Sequence, residues 1–282
     1  MTRLLNSHII ITGGSEGIGA AFAQVAAAAG ATVSLIARRE GALALMAESI
    51  GSPAHWRAAD VTDPVALAAA VAELEIESGP CDILVTCAGT ALPGRFLDMP
   101  LEEFGSQVQL NYLGTVNALK IVLPRMVERG LGHIVVTSST AGLIGVVGYS
   151  GYAPTKWAVR GLAETLRYEV EPKGIRVSVL YPPDTDTPGF AVENTRKPPE
   201  TVAVSGSMKP VSAETVAIAL ARGIEANRFH IVADLFTRLL VRWSGLLEPI
   251  LRGSFRRTIA RSLAAEPPAP PVVTQNAGDS SR

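Results

Sequence analysis

The chain has 282 residues, 48% of them apolar, enough for one α/β domain with a full core; its formal net charge of −1 leaves no electrostatic footprint for a nucleic-acid partner. Its two cysteines, Cys81 and Cys87, form no disulfide framework, and neither they nor the scattered His8, His55, His133 and His230 have metal-ligand spacing. The N-terminal residues hold neither a signal-peptide core nor a spanning segment, which predicts a cytoplasmic protein without a metal.

Taken in chain order, His8–Thr12 reads as a first strand, nearly all apolar as expected when both faces are covered. A helix over Ile18–Ala29, a strand over Thr32–Ala37 and a helix over Gly41–Ile50 follow. Asp60 and Val61 come after a third strand, then a helix over Pro64–Ser78 and a strand over Asp82–Thr86. A long helix over Leu101–Arg129, a strand over His133–Ser138, a helix over Tyr152–Glu171 and a strand over Ile175–Tyr181 complete the alternation. Strands alternating with helices predict βαβ units, hence a doubly wound parallel Rossmann sheet in three α/β/α layers. Pro182–Pro210 reads as a long loop with a short helix, the form of a lid, and Ser212–Ala226 as a helix capped by Ser212.

The expected organisation is a catalytic domain over 1–232 that includes the 182–210 substrate loop, a cationic amphipathic helical extension over 233–265, and a disordered tail over 266–282. In the extension Val232, Leu235, Phe236, Leu239, Leu240, Trp243, Leu247 and Ile250 fall near helical spacing. Arg238, Arg242, Arg252, Arg256, Arg257 and Arg261 interrupt them and disfavour a bilayer span. Two readings stay open: peripheral contact with anionic lipid on the cytoplasmic face of a membrane, or docking on the chain's own domain or a partner subunit.

After the first strand runs Thr12-Gly13-Gly14-Ser15-Glu16-Gly17-Ile18-Gly19. Between a strand and a helix these residues suit a dinucleotide. Gly13 permits a tight turn, Gly17 lets backbone N–H groups approach a pyrophosphate, and Gly19 allows close helix–strand contact. The phosphates would rest on the helix N-terminus, among Ser15, Glu16 and Ile18, where free donors and the dipole favour negative charge. At the end of the second strand Arg38 and Arg39 suit the 2′-phosphate of NADP, so the expected cofactor is NADPH, although the Glu16 carboxylate would repel phosphate. Asp60 and Val61 are placed to meet the adenine.

The glycine pattern, the Tyr152-Ala-Pro-Thr-Lys156 motif, Ser139 thirteen positions before Tyr152, Asn111, and Cys87-Ala88-Gly89 together resemble the short-chain dehydrogenase/reductases, over about Leu5 to Ala226. The resemblance implies ketone reduction with Ser139, Tyr152, Lys156 and Asn111 as the catalytic set. Hydride goes to carbon and a proton to oxygen; Tyr152 would donate that proton, its pKa of about 10 drawn down by the Lys156 ammonium four residues on. Ser139, selected over Ser138 by its spacing, would hydrogen-bond the carbonyl oxygen. The family pattern further implies Lys156 on the nicotinamide ribose, and Asn111 holding a water beside Lys156. It puts the backbone near Pro182 and Thr185 against the carboxamide, Thr187 toward the phosphates, and Ala88 and Gly89 beside the cofactor. Two departures stand out: Pro183 replaces a frequent glycine, and Cys87 a frequent asparagine. The family's use of its two long helices in dimers implies a homo-oligomer.

Pro182-Pro-Asp-Thr-Asp-Thr-Pro-Gly-Phe190, with Glu193-Asn194, Lys197-Pro198, Asn111-Tyr-Leu-Gly114, Arg160-Gly-Leu-Ala-Glu164 and Gly253-Ser-Phe255, resembles the 3-ketodihydrosphingosine reductases within that family. This implies a lipidic ketone, 3-oxosphinganine, reduced with NADPH to sphinganine for sphingolipid synthesis. The alternative is a short-chain reductase or dehydrogenase of another lipid, steroid or small ketone or alcohol.

Overall fold

Every residue of β1 (His8–Thr12) is buried, because it is an inner strand of a sheet covered on both faces. The computed structural model describes residues 1–52, 54–206 and 209–265; the expected disordered tail lies outside them. Around β1 are β2 (Thr32–Ala37), β3 (Ala54–Ala58), β4 (Ile83–Thr86), β5 (Gly132–Thr137), β6 (Ile175–Tyr181) and β9 (His230–Val232), all parallel in the order β3-β2-β1-β4-β5-β6-β9. The order reverses beside β1, which opens a crevice at the carboxyl ends of β1 and β4. Thr12 pairs with Ile36 and Thr86, Thr86 with Val136, and Thr137 with Leu180. This register brings Gly13, Arg38, Cys87, Ser139 and Pro182 out along one edge of the sheet.

Helices cover both faces. On one side α1 (Gly17–Ala28), α2 (Glu40–Ile50) and α9 (Ala213–Glu225) pack Phe22, Leu43 and Leu220 against the sheet. On the other, α3 (Pro64–Ser78), α5 (Gly114–Arg129) and α6 (Ala153–Val170) contribute Leu74, Val122 and Val159. Local chemistry sets the ends: Asp63 Oδ1 accepts from the N–H of Val65 at 2.9 Å, with Pro64 in the first turn of α3. Ser212 does cap α9, its Oγ accepting from Thr215 N at 3.1 Å.

The third strand expected before Asp60 is β3 (Ala54–Ala58), which needs no apolar run because it lies at the sheet edge, half exposed. Three expectations are corrected in detail. The helix over Leu101–Arg129 is not uniform: α4 (Leu101–Gln107) passes through a wider π turn (Val108–Leu113) into α5, and Asn111 sits in that turn. The 182–210 segment holds more than one short helix: α7 (Pro188–Asn194), α8 (Pro199–Ser205) and the short β7 (Thr185–Asp186), which pairs with β8 (Val211–Ser212). Val232 ends a strand rather than beginning the C-terminal helix, because β9 extends the sheet beyond β6.

The C-terminal helix α10 runs over Leu235–Ala265, with a kink at Trp243 (φ −135°, ψ 22°). Asp234 caps it, accepting from Thr237 N at 2.8 Å. One face docks on the chain itself: Leu240 is buried in the main core, Phe236 and Leu247 pack against that core, and the helix lies on α8. Leu235, Leu239, Trp243, Leu246 and Ile250, spaced as one helical stripe, are left exposed. Among the described residues no helix is long and apolar enough to cross a membrane.

Candidate active site

Along the edge where β1, β4, β5 and β6 end lies a cavity of about 650 Å³. Its wall includes Gly13, Ser15, Glu16, Gly17, Ile18 and Gly19 at one end and Ser139, Tyr152 and Lys156 further along. Arg38, Arg39, Asp60, Val61, Ala88 and Gly89 line it as well, as do Pro182, Thr185 and Thr187. Asn111 is the one catalytic candidate away from the wall, fully buried behind it.

The glycine turn is built by close approach. Gly13 has φ +70°, and a Cβ there would lie 2.6 Å from the backbone N of Ala88; a Cβ on Gly19 would collide with the carbonyl oxygen of Gly13. Glu16 stands at the N-cap of α1 without a side-chain cap bond, and the first turn holds no acidic residue, so the opening N–H groups are left for an anion. The Glu16 carboxylate is paired with the Arg39 guanidinium, which offsets its repulsion of phosphate. Arg38 is exposed at the same rim and has no hydrogen-bond or ion-pair partner among the described residues. Asp60 holds its own turn, accepting from Thr62 N at 2.9 Å and from Thr62 Oγ1 at 2.8 Å, next to buried Val61. A dinucleotide fits this end of the cavity.

At the other end the two serines part company. Ser138 is buried and donates to the carbonyl of Lys156 at 2.8 Å, whereas Ser139 lines the cavity and caps the short turn Thr140–Gly142, accepting from Ala141 N at 3.2 Å. Tyr152 and Lys156 lie one turn apart at the start of α6, with Lys156 Nζ 5.6 Å from the centre of the Tyr152 ring. Lys156 Nζ also donates to the carbonyl of Thr137 at 3.0 Å. Burial pushes the Lys156 pKa down to about 8.

The expectation that Lys156 draws the phenol of Tyr152 downward is corrected. Burial raises the Tyr152 pKa, against a hydrogen bond with Ser139 that lowers it, and the charges of Glu193 and Asp184 raise it further. Desolvation wins, so the phenol stays protonated.

Asn111 is held by both edges of its amide. Its Oδ1 accepts from Thr90 N at 2.8 Å, and its Nδ2 donates to the Thr90 carbonyl at 2.9 Å and to Thr155 Oγ1 at 3.1 Å. Thr155 in turn donates to the Tyr152 carbonyl at 2.7 Å, so Asn111 ties the strand-end loop to the first turn of α6. The absent side chain of Gly89 leaves the space between them open: a Cβ there would lie 3.0 Å from Asn111 Oδ1 and 3.4 Å from Lys156 Nζ. Cys87, in the place of the frequent asparagine, is pushed up to about 11 by burial and stays a thiol beside Thr137.

After β6 the Pro182 carbonyl accepts from Thr140 N and from Thr140 Oγ1, both at 3.1 Å, fixing this segment beside Ser139. Thr185 Oγ1 donates to the Pro183 carbonyl at 2.7 Å, and Thr187 caps α7, accepting from Phe190 N at 3.1 Å. The lid thus closes on the glycine turn: a Cβ on Gly17 would lie 3.3 Å from Thr187 Cγ2.

Several wall residues had no role in the sequence reading. Tyr149, Asp184 and Glu193 form a polar group beside Tyr152, and Val146, Phe236 and Phe255 supply apolar wall. Asp184, Glu193 and Phe255 lay within the stretches that carry the resemblance, but nothing in their spacing pointed to the cavity. Phe255 reaches it only because α10 folds back across the chain.

A short chain dehydrogenase model matches residues 7–198. The chain is 40% identical over 268 residues to the 3-ketodihydrosphingosine reductase of Dictyostelium discoideum, covering 88% of this chain and 80% of that protein. It is 40% identical over 223 residues to the 3-dehydrosphinganine reductase of Danio rerio, covering 76% and 67%. Among solved structures, a levodione reductase superposes with a TM-score of 0.73 at 27% identity, covering 82% of this chain and 97% of that one. This breadth of agreement settles kinship: the chain belongs to the short-chain dehydrogenases, a family of nicotinamide-dependent oxidoreductases, and within it stands with the 3-ketodihydrosphingosine reductases.

Proposed function

We propose that the protein reduces the 3-keto group of 3-oxosphinganine to the alcohol of sphinganine, with NADPH as electron donor, in sphingolipid synthesis. One observation carries the reading: Ser139, Tyr152 and Lys156 meet on one wall of a cavity whose other end suits a dinucleotide, in a chain 40% identical to two such reductases. When bound, the cofactor supplies the hydride. The remaining work falls to this chain. Tyr152, kept protonated by burial, donates its proton to the carbonyl oxygen. Ser139 donates a hydrogen bond to the same oxygen as charge grows on it. Lys156, held by Thr137, keeps a positive charge beside the phenol as it loses its proton and can reach the ribose hydroxyls. Asn111 positions the first turn of α6 and the loop at Thr90 that faces it.

Preference for NADPH rests on Arg38, whose guanidinium is left over once Arg39 has paired with Glu16. Phe236 and Phe255 on the cavity wall suit a long alkyl chain, and make α10, within the 233–265 extension, part of the catalytic unit formed by residues 1–232. The exposed stripe Leu235–Ile250, with Arg238, Arg242 and Arg252 nearby, suits peripheral contact with an anionic cytoplasmic membrane surface. Exposed Val108, Trp157 and Tyr168 on the two long helical segments suit a homo-oligomer.

The test is NADPH oxidation by the purified chain with 3-oxosphinganine, against a panel of steroid and short-chain ketones. Turnover confined to the panel would remove the substrate and leave the reductase.

A further inference from the structure

We propose that Asp184 and Glu193 form a subsite for a cationic nitrogen on the carbon next to the reacting carbonyl, making the enzyme selective for amino ketones. The inference rests on the reductase reading and gives its substrate a recognition chemistry. Both carboxylates line the cavity that Tyr152 lines, and both stand close enough for their charges to act on its phenol. Glu193, on α7, accepts a hydrogen bond from the Tyr149 hydroxyl and is paired with Lys197 Nζ at 3.2 Å. The Tyr149 ring is 5.8 Å from that of Tyr152, so this carboxylate is coupled to the catalytic residue through one aromatic neighbour.

Asp184 is different. It follows the Pro182–Pro183 pair that is pinned to Thr140, and among the described residues its carboxylate has no hydrogen-bond or ion-pair partner. Lys197, nearly buried, acts on Asp184 and Glu193 together, and one cation cannot neutralise two carboxylates. Other charges on the wall are committed or distant from this role. Lys156 is held by Thr137, Lys209 is exposed, and Asp234 caps α10. Lys197 is spent on Glu193, so the Asp184 carboxylate faces the cavity without a partner of its own among the described residues, and burial holds it above its ordinary pKa.

An uncompensated carboxylate in such a place is costly, and an ammonium group offsets that cost. In a 2-amino-3-ketone the nitrogen is bonded to the carbon adjoining the carbonyl. Seating the carbonyl oxygen at Tyr152 and Ser139 therefore fixes the nitrogen close by. A neutral ketone gains nothing from these groups and leaves the Asp184 carboxylate without a partner.

The experiment compares 3-oxosphinganine with 1-hydroxyoctadecan-3-one, the same molecule without the amine, in the native enzyme, Asp184→Asn and Glu193→Gln. The readout is the ratio of kcat/KM for the two ketones, from which any loss of folded enzyme cancels. The native enzyme should favour the amino ketone. Asp184→Asn should lower the ratio by about thirtyfold or more, the effect of removing one partner of a desolvated charge pair, and Glu193→Gln by a smaller factor. A ratio near one in the native enzyme, or a ratio unmoved by both variants, overturns the subsite and leaves the reductase standing. Failure of the native enzyme on both ketones overturns the reductase reading and the subsite with it.

Discussion

Lys156 Nζ stands 5.6 Å from the centre of the Tyr152 ring, and burial moves the two groups in opposite directions, the phenol up and the ammonium down to about 8. Below about pH 8 the pair is a neutral phenol beside a cation, the state that can give up a proton and hold the resulting charge. As pH rises through 8 Lys156 loses its charge first. Reductive kcat/KM should therefore fall on the alkaline side of about pH 8, well before Tyr152 ionises. Lys156→Arg, whose charge persists, should retain binding of NADPH and lose that limb. A limb unchanged in the arginine variant would assign the titration elsewhere.

Removing the proton donor separates chemistry from binding. Tyr152→Phe should cut turnover by about a hundredfold to ten-thousandfold, the usual worth of a positioned acid, with NADPH affinity by fluorescence titration changed little. Loss of affinity in step with turnover would mean the ring holds the cofactor site together.

Arg38 and Arg39 are neighbours with different duties. Arg38→Asp should shift the ratio of catalytic efficiencies from NADPH toward NADH by about tenfold or more, since it removes a charge-assisted contact and adds a repulsion. Arg39→Ala should weaken both cofactors together, because it frees the Glu16 carboxylate beside the phosphates. A fixed ratio in Arg38→Asp sinks the assignment of the 2′-phosphate.

His133 on β5 is buried, with Thr2 Oγ1 3.0 Å from Nδ1 and Ser178 Oγ 2.7 Å from Nε2, and burial drops its pKa to about 4. The unfolded chain takes up this proton near pH 6.5, the native one only near 4. Stability is thus complete above 6.5 and declines as pH falls toward 4, by roughly 3 kcal/mol at most from this residue. Urea unfolding at pH 7 and 4.5 should show the difference, and His133→Gln should reduce it. An undiminished difference in the variant would place the acid sensitivity in other groups.

The two faces of α10 separate in the same way. Leu240→Ala should cost about 2–5 kcal/mol, as a buried leucine does. Trp243→Glu with Ile250→Glu alters exposed positions and should leave unfolding nearly unchanged while abolishing sedimentation with anionic vesicles. Sedimentation equal to that of the native chain removes the membrane role.

Much of this was legible in the sequence where one residue type at one spacing serves one geometry. Gly13 and Gly19 are forced by backbone contact, and Tyr152 and Lys156 by a single helical turn, so pattern and structure agree. β3 escaped notice as an apolar run because an edge strand, Ala-His-Trp-Arg-Ala, need bury only part of itself. Asp184 and Glu193 are polar residues of a lid, and what they face is decided by how α7 folds over the cavity. Phe255 is joined to Tyr152 only by the return of α10, a long-range contact that leaves no local trace. The electrostatic balance at Tyr152 was also hidden, since motif spacing brings the ammonium near but says nothing about how dry the site is.

The π turn at Val108–Leu113 carries one further implication. Each residue of an α-helix advances about 100° around its axis, so one extra residue in a wide turn resets the rotational phase between α4 and α5. Gln107, bonded to Leu92 N at 3.0 Å, and Val122, buried in the core, both depend on that phase. Substitutions at exposed Val108 or Gln109 should be tolerated, whereas deletion of either would turn one flank away from its partners, so evolution here is freer to vary letters than length.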